Sequence, residues 1–390
     1  MALRLSFDLE ADEQGGPQVL FEESSSVRKV ILNRPKKLNS LTYEMASQLL
    51  RKLEEYEHDP AVGCIMLKGR GRAFCAGGDV MRVICTTMAG HWSLGTRIYG
   101  LQLTLDYLLA TYRKPVVALV DGTVMGGGAG LSMQATFRVV TENTVFAMPE
   151  VSIGLFPDVG ASKFLSKLPG AFGEYLALTG ARLDGGEMLA CGLASHFVLS
   201  RELPRLEKAL CPEAPVSKST ISALLNKFAH NPNLNENSIL RRLEIINGCF
   251  SRPTVEEIFS SPENEIKNNG AENWIEGAVK SMRSASPTSL KITLKSIRKG
   301  RTQNLEQCLA HEYTIFCHVL RGSVNRDFFE GSRATLFDKD KKAKWDPPKL
   351  ELIPDEMVDK FFTSLDGIDQ DWVSLQLPIR SGQTRSRAKL

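Results

Sequence analysis

Several large functional classes leave their marks in a sequence, and most of those marks are missing here. No apolar run approaches the length of a membrane-spanning helix. The opening residues, MALRLSFDLEADE, place Asp8 and Glu10 where a secretory signal needs unbroken apolar chain. Neither sign of charge dominates: 48 Lys and Arg face 45 Asp and Glu, for a formal net charge of +3. The basic residues form no long stripe interleaved with aromatics, so a nucleic-acid partner is not expected. Eight cysteines, at 64, 75, 85, 191, 211, 249, 308 and 317, include no closely spaced pair. That spacing excludes a zinc knuckle or a redox motif. Reduced, mostly buried thiols in a reducing compartment are expected instead. The six histidines show no metal-ligand spacing. A phosphate loop, a Gly-x-Ser-x-Gly elbow and the dinucleotide glycine spacing are all missing.

What is present suits an ordinary globular protein. Its 390 residues, 43% of them hydrophobic, can bury a sizeable core as one large domain or two medium ones. Residues 1–16 read as a mobile lead. From 17 to 202, strands alternate with helices. Val27–Leu32, Cys64–Lys68 and Pro115–Val120 read as strands, the last apolar enough for burial on both faces. A helix is predicted from the N-cap Thr42 to Glu57, with Met45, Leu49, Leu53 and Tyr56 on one side. Leu94–Tyr112 and Gly126–Gln134 are also predicted helices. This alternation implies an α/β layer fold, either an open sheet or a coiled β/α spiral. Residues 203–348 are dominated by helical patterns: Thr220–Ala229, Ile239–Cys249, Thr254–Phe259, Trp274–Arg283 and Leu290–Lys299. Gly300, Gly322 and Gly331 punctuate the remainder of that region. Pro347-Pro348 ends the folded portion or begins an extension over 349–390.

The chemistry concentrates between Met125 and Asp158. Gly126-Gly127-Gly128 opens a predicted helix, and two carboxylates, Glu150 and Asp158, come after it in a mostly apolar stretch. Glycine lets backbone approach a ligand closely, and a helix start leaves N–H donors free. A second loop, Arg70 to Asp79, also comes after a strand and contains Gly77-Gly78. Two such loops side by side could each give one N–H to a single oxyanion. Carboxyls in apolar surroundings are the usual general acids or bases near neutral pH. The combination suggests acyl chemistry without a serine or cysteine nucleophile.

Four segments, LNRPKKLNSL (32–41), GRAFCAGGD (71–79), KPVVALVDGTVMGGGAGL (114–131) and FAMPEVSIGLFPDVGASKFL (146–165), resemble the crotonase, or enoyl-CoA hydratase/isomerase, superfamily. The similarity is greatest to its 3-hydroxyisobutyryl-CoA hydrolase branch, and FFEGSRA (328–334) carries it towards Pro348. The resemblance implies a β/β/α spiral core with a C-terminal helical region, and an acyl-CoA substrate. It assigns the thioester-binding N–H groups to Gly78 and Gly127. Ala76 would face the adenine of CoA, and Arg34, Lys36 and Lys37 are candidate phosphate contacts. Glu150 matches the second glutamate of the hydratases, whose first maps to Gly130. Asp158 matches the aspartate that the hydrolases add in Phe-Pro-Asp.

By that likeness, two N–H groups polarise the thioester carbonyl. Glu150 then deprotonates a water or attacks the carbon itself, while Asp158 binds the 3-hydroxyl or positions water. No metal or redox cofactor is required. Two departures bear on substrate choice. Gln102 stands where the hydrolases often have a carboxylate, with Asp106 one turn on, and Ser132-Met133-Gln134-Ala135 replaces Ser-x-His-Gly. The expected function is hydrolysis of 3-hydroxyisobutyryl-CoA in valine breakdown. The rivals are a hydratase or isomerase, against which Gly130 argues, and a non-catalytic acyl-CoA binder. Relatives often associate through C-terminal helices, so a homo-oligomer is an expected partner state. The terminal Ala388-Lys389-Leu390 resembles the tripeptide read by the peroxisomal import receptor, which points to the peroxisome.

Overall fold

The computed structural model describes residues 16–212, 217–269 and 272–380. The chain opens with a hairpin, β1 (Val19–Ser24) against β2 (Val27–Leu32), antiparallel in register Val19 to Leu32. It then repeats one pattern. A strand in one sheet is followed at once by a short strand in a second sheet, and then by helix. β3 (Cys64–Gly69) leads to β4 (Ala73–Cys75), β5 (Val116–Val120) to β6 (Thr123–Met125), and β7 (Phe137–Val140) to β8 (Val145–Ala147). The first sheet has the order β1-β2-β3-β5-β7-β10, and the second β4-β6-β8-β9. Here β9 is Leu183–Asp184 and β10 is His196–Phe197. From β2 through β10 the first sheet is parallel. Of the two α/β arrangements open from periodicity, this is the coiled spiral.

Both faces of the first sheet are covered, which is why β5 is buried at every position. On one face Val30, Ile65, Leu67, Val116 and Ala118 join the main core. On the other, Val27, Met66, Val117 and Val139 pack with Leu206, Ile221 and Leu225 of the helices Leu203–Ala209 and Lys218–Phe228. The predicted first helix is α1 (Tyr43–His58), whose cap Thr42 accepts a hydrogen bond from the Met45 N–H. Next come α2 (Val80–Ala89), α3 (Trp92–Ala110), α4 (Gly127–Met133) and α5 (Ala161–Leu165).

The C-terminal half is helical as expected, with three differences. The helix predicted to stop at Phe259 runs from Val255 to Asn269, through Pro262. A helix over Leu305–Arg321 was not anticipated, although a capping box of Asn304 and Gln307 starts it. Gly331 is no turn: it lies within the helix Asp327–Ser332, where a Cβ would come 2.4 Å from the Ile153 backbone. Beyond Pro347-Pro348 the chain stays packed on the body. Val358, Phe361, Leu365 and Trp372 are buried, and Arg380 pairs with the buried Glu57 at 2.6 Å. The expected N-terminal lead, except its last residue, and the Ala-Lys-Leu tail lie outside the described residues.

Candidate active site

The spiral brings two strand ends side by side. β4 and β6 are parallel neighbours in the second sheet, so the loops that leave them emerge together. The first runs through Ala76, Gly77 and Gly78 into α2. The second runs through Gly126 into α4. Around Gly78 the backbone is tied down on both sides. The Ala76 N–H donates to the Leu38 carbonyl, and the Asp79 N–H donates to that of Leu41, 2.9 and 2.8 Å apart. Among the described residues no acceptor is assigned to the Gly78 N–H. Gly127 begins α4, so its N–H has no partner within the helix. A Cβ on Gly127 would stand 3.1 Å from the Gly78 nitrogen. The two loops predicted from the glycine runs therefore lie side by side at Gly78 and Gly127.

Glu150 arrives from the third pass of the spiral, at the start of a 3-10 turn after β8. Its side chain crosses to the same corner, where Oε1 lies 3.0 Å from the Cβ position of Gly126. That contact, with φ +46° and ψ −122° at Gly126, makes any side chain there costly. Glu150 is buried, and its Oε2 has no hydrogen-bond partner among the described residues. Burial, reinforced by the negative charge of Asp158, holds its carboxyl well above the usual range.

Asp158 is one of four buried acids grouped here; with it and Glu150 stand Asp106 on α3 and Glu312 on the helix Leu305–Arg321. Burial is the main cause of the upward shift in all four. Asp158 is raised further by Glu312, and Asp106 by Asp158 and Glu312. The Tyr99 ring places its hydroxyl beside Asp158 and the Val159 amide, outside good hydrogen-bonding geometry. Glu312 is satisfied. It accepts from the Gly160 N–H at 2.7 Å, the Ser162 N–H at 3.0 Å and the Ser162 hydroxyl. These bonds hold the turn after Asp158, where Val159 has a φ of 56°. A β-branched residue in that region is strained by about 1–3 kcal/mol. Asp106 is the opposite case: both its oxygens are buried without a partner among the described residues.

The other predicted residues are scattered around this corner. Ala76 is half-buried beside Leu38, and Lys37 is exposed in the 3-10 turn Pro35–Lys37. Arg34 is turned inward, bonded to the Ser40 carbonyl at 2.7 Å and paired with Asp79 at 3.4 Å. That leaves its guanidinium engaged within the fold rather than offered to a phosphate. Gln102 reaches from α3 into the corner, with its Nε2 2.4 Å from the Cβ position of Gly127. Gln134 packs against Gly160, its Nε2 3.0 Å from that residue's Cβ position. The cysteines are free, five of the eight buried, and among the described residues no group of side chains has the arrangement of a metal site.

Tyr99 and Glu312 were not found from the sequence. The apolar positions Cys308, Leu309, Phe316 and Leu320 after the Asn304 cap contain a signal: they put Glu312 on the buried face of a helix. A carboxylate on such a face asks for a partner.

The chain matches the enoyl-CoA hydratase/isomerase family model over residues 27–362. Among curated proteins, 3-hydroxyisobutyryl-CoA hydrolase 1 of Arabidopsis thaliana is 51% identical over 93% of this chain and 95% of its own length. Small ribosomal subunit protein mS47 of the same plant is 43% identical over 93% of this chain and 88% of its own length. The crystal structure of a carnitinyl-CoA dehydratase from Mycobacterium thermoresistibile superposes with a TM-score of 0.83 at 31% identity, covering 94% of this chain and all of that one. With its spiral of paired strands and a match that spans most of its length, this chain belongs to the enoyl-CoA hydratase/isomerase, or crotonase, family.

Proposed function

We propose that the chain hydrolyses an acyl-CoA thioester, 3-hydroxyisobutyryl-CoA to 3-hydroxyisobutyrate and CoA. The observation that supports this reading is the close approach of Gly78 and Gly127 beside a buried, incompletely bonded Glu150. The extended likeness to named hydrolases of that substrate supports it.

The thioester oxygen receives the two N–H groups, which stabilise the negative charge that grows on it during attack. Glu150 serves in one of two ways. As a general base it takes a proton from water while the water oxygen bonds to the carbonyl carbon. As a nucleophile it forms a mixed anhydride that water then opens. In both, the C–S bond breaks and the thiolate of CoA takes up a proton. Asp158 binds the 3-hydroxyl or orients the water. Gly130 leaves no glutamate for the paired acid–base chemistry of hydration. Ala76 and Lys37 flank the entrance as contacts for the CoA adenine and phosphates. This chemistry calls for no cofactor.

A CoA-thiol release assay over 3-hydroxyisobutyryl-CoA, other 3-hydroxyacyl-CoAs and plain short-chain acyl-CoAs tests the reading. Release greatest with 3-hydroxyisobutyryl-CoA is expected, and tight binding without release would refute it. That second outcome is the non-catalytic reading, which the ribosomal name of one relative favours. We further propose a role in valine breakdown and a peroxisomal address in Ala388-Lys389-Leu390, read by the import receptor. A fluorescent fusion that remains cytosolic with the tripeptide intact would remove the address. Self-association is proposed on family resemblance alone; sedimentation of the purified protein decides it.

A further inference from the structure

We infer that Gln102 is a third hydrogen-bond donor to the thioester oxygen, acting beside the Gly78 and Gly127 amides. The inference rests on the hydrolase reading and gives its oxyanion site a side-chain member.

The argument is geometric. Two nitrogens from elsewhere in the chain crowd the side of Gly127 where a Cβ would stand. Gln102 Nε2 lies 2.4 Å from that point and the Gly78 nitrogen 3.1 Å. Gln102 Nε2 is itself buried, and it has no acceptor among the described residues. A buried N–H group with no acceptor is costly, and such groups are usually satisfied by something. An oxygen that meets all three nitrogens satisfies this one as well. The side chain is placed for the task by α3, which passes along the mouth of the two loops and carries buried Leu103 and Leu105 on either side of its line. Glu150 at the corner presents a carboxyl whose ionised form the reaction uses, whereas Gln102 presents an amide donor. A carboxylate at position 102, usual in the related hydrolases, could donate only when protonated.

Two variants and two ligands test this. Gln102→Met keeps the length and loses the donor. Gln102→Glu donates only when its carboxyl is protonated. In the Gln102→Met protein, kcat/KM for 3-hydroxyisobutyryl-CoA should fall about tenfold or more, the low end for a lost oxyanion donor. Binding is read separately in the Glu150→Gln background, where turnover is slow. The ligands are 3-hydroxyisobutyryl-CoA and its thioether counterpart, in which a methylene replaces the carbonyl. A preference for the thioester should be present with Gln102 and reduced in Gln102→Met. The infrared carbonyl stretch of the bound thioester should lie lower with Gln102 than with Met. Activity of Gln102→Glu should rise towards acid pH. An unchanged preference and stretch in Gln102→Met, or a pH profile of Gln102→Glu identical to that of the parent, would overturn the assignment. The two readings fail differently. If the parent releases no CoA yet the preference depends on Gln102, hydrolysis falls and the donor stands. If parent and Gln102→Met release CoA equally fast, the donor falls and hydrolysis stands.

Discussion

The glycine corner and the carboxyl cluster touch at Glu150 but are built by opposite means. The corner is built on main chain, with Gln102 reaching into it. Its amides are fixed by strand pairing between β4 and β6, by short loops, and by glycines that let the two loops and Gln102 approach one another. The cluster is side chain. Its acids come from α3, from the turns after β8 and from a helix some 150 residues later in sequence. The corner is rigid because the fold makes it so. The cluster is poised because burial keeps its acids high in pKa, and neighbouring acids raise Asp106, Glu150 and Asp158 further. One provides fixed dipoles and the other movable protons.

The sharpest break in the comparison is on the cluster side. Glu150→Gln keeps shape and burial but can neither take a proton nor attack carbon. A fall in kcat of at least ~100-fold is expected, with KM changed little. Asp158→Asn should act in the same direction. Near-normal thiol release by both variants would detach the cluster from the chemistry. Single turnover in oxygen-18 water sharpens the point, since label appearing in the Glu150 carboxylate marks the anhydride route.

On the corner side, Gly127→Ala is the matching break. Its Cβ would meet Gln102 Nε2 at 2.4 Å and stand beside the Gly78 nitrogen. Loss of oxyanion stabilisation should cost about 10²–10³ in kcat/KM. The backbone of α4 accepts alanine and the long Gln102 side chain can move, so melting temperature should change little. A large drop in melting temperature would mean that the glycine serves packing, and the corner would lose its claim to be a built anion site.

This contrast also decides what could be read from sequence. The corner was legible, because a glycine run after a strand reports close backbone approach wherever it occurs. Glu150 and Asp158 were legible through their motif neighbours. Glu312 was not. Its partners, the Gly160 and Ser162 amides, lie far off in sequence, and local periodicity carries no word of such a meeting. The three-residue strands β4, β6 and β8 were missed as well, since so short a segment has no period to detect. Only the fold joins them into a sheet. The extent of the folded body was understated at Pro347-Pro348 for a related reason: two prolines end regular structure but do not prevent later residues such as Phe361 and Trp372 from packing.

A smaller break tests whether the cluster depends on that distant acid. Glu312→Gln keeps one acceptor for the turn after Asp158 but cannot serve all three donors equally. A decrease of about 1–3 kcal/mol in stability is expected from the weakened buried hydrogen bonds, together with a modest fall in kcat as the strained Val159 turn relaxes. Burial raises Glu312 from 4.5 to about 7 in the folded state. Between those values the folded protein keeps a proton that the unfolded chain has lost. Its contribution therefore makes stability fall as pH rises through that window. Denaturation of Glu312→Gln, measured from pH 5 to 7, should show a shallower fall than the parent. An equal slope would assign the titration to other acids.

Asp106 should give the least effect on turnover and a change of opposite sign in stability. Its carboxyl fills the space beside Gly130, with Oδ2 2.8 Å from the Cβ position there, and it makes no hydrogen bond among the described residues. Burial first, then Asp158 and Glu312, hold it in the acid form well above its ordinary range. The unfolded chain ionises at ordinary carboxylate pH and the folded one does not, so the folded state loses stability as pH climbs above that range. Asp106→Asn removes the titration while keeping the shape. The variant should be more stable than the parent at pH 8, by about 1.4 kcal/mol for each pH unit over which the folded parent alone holds the proton. The gain should shrink towards pH 5, where the parent keeps this proton in the folded state. Thermal melts at the two pH values check both the sign and the trend. A variant less stable at pH 8 would mean that the Asp106 carboxylate has a favourable partner in the folded protein, and that the cluster is held by attraction rather than merely enclosed.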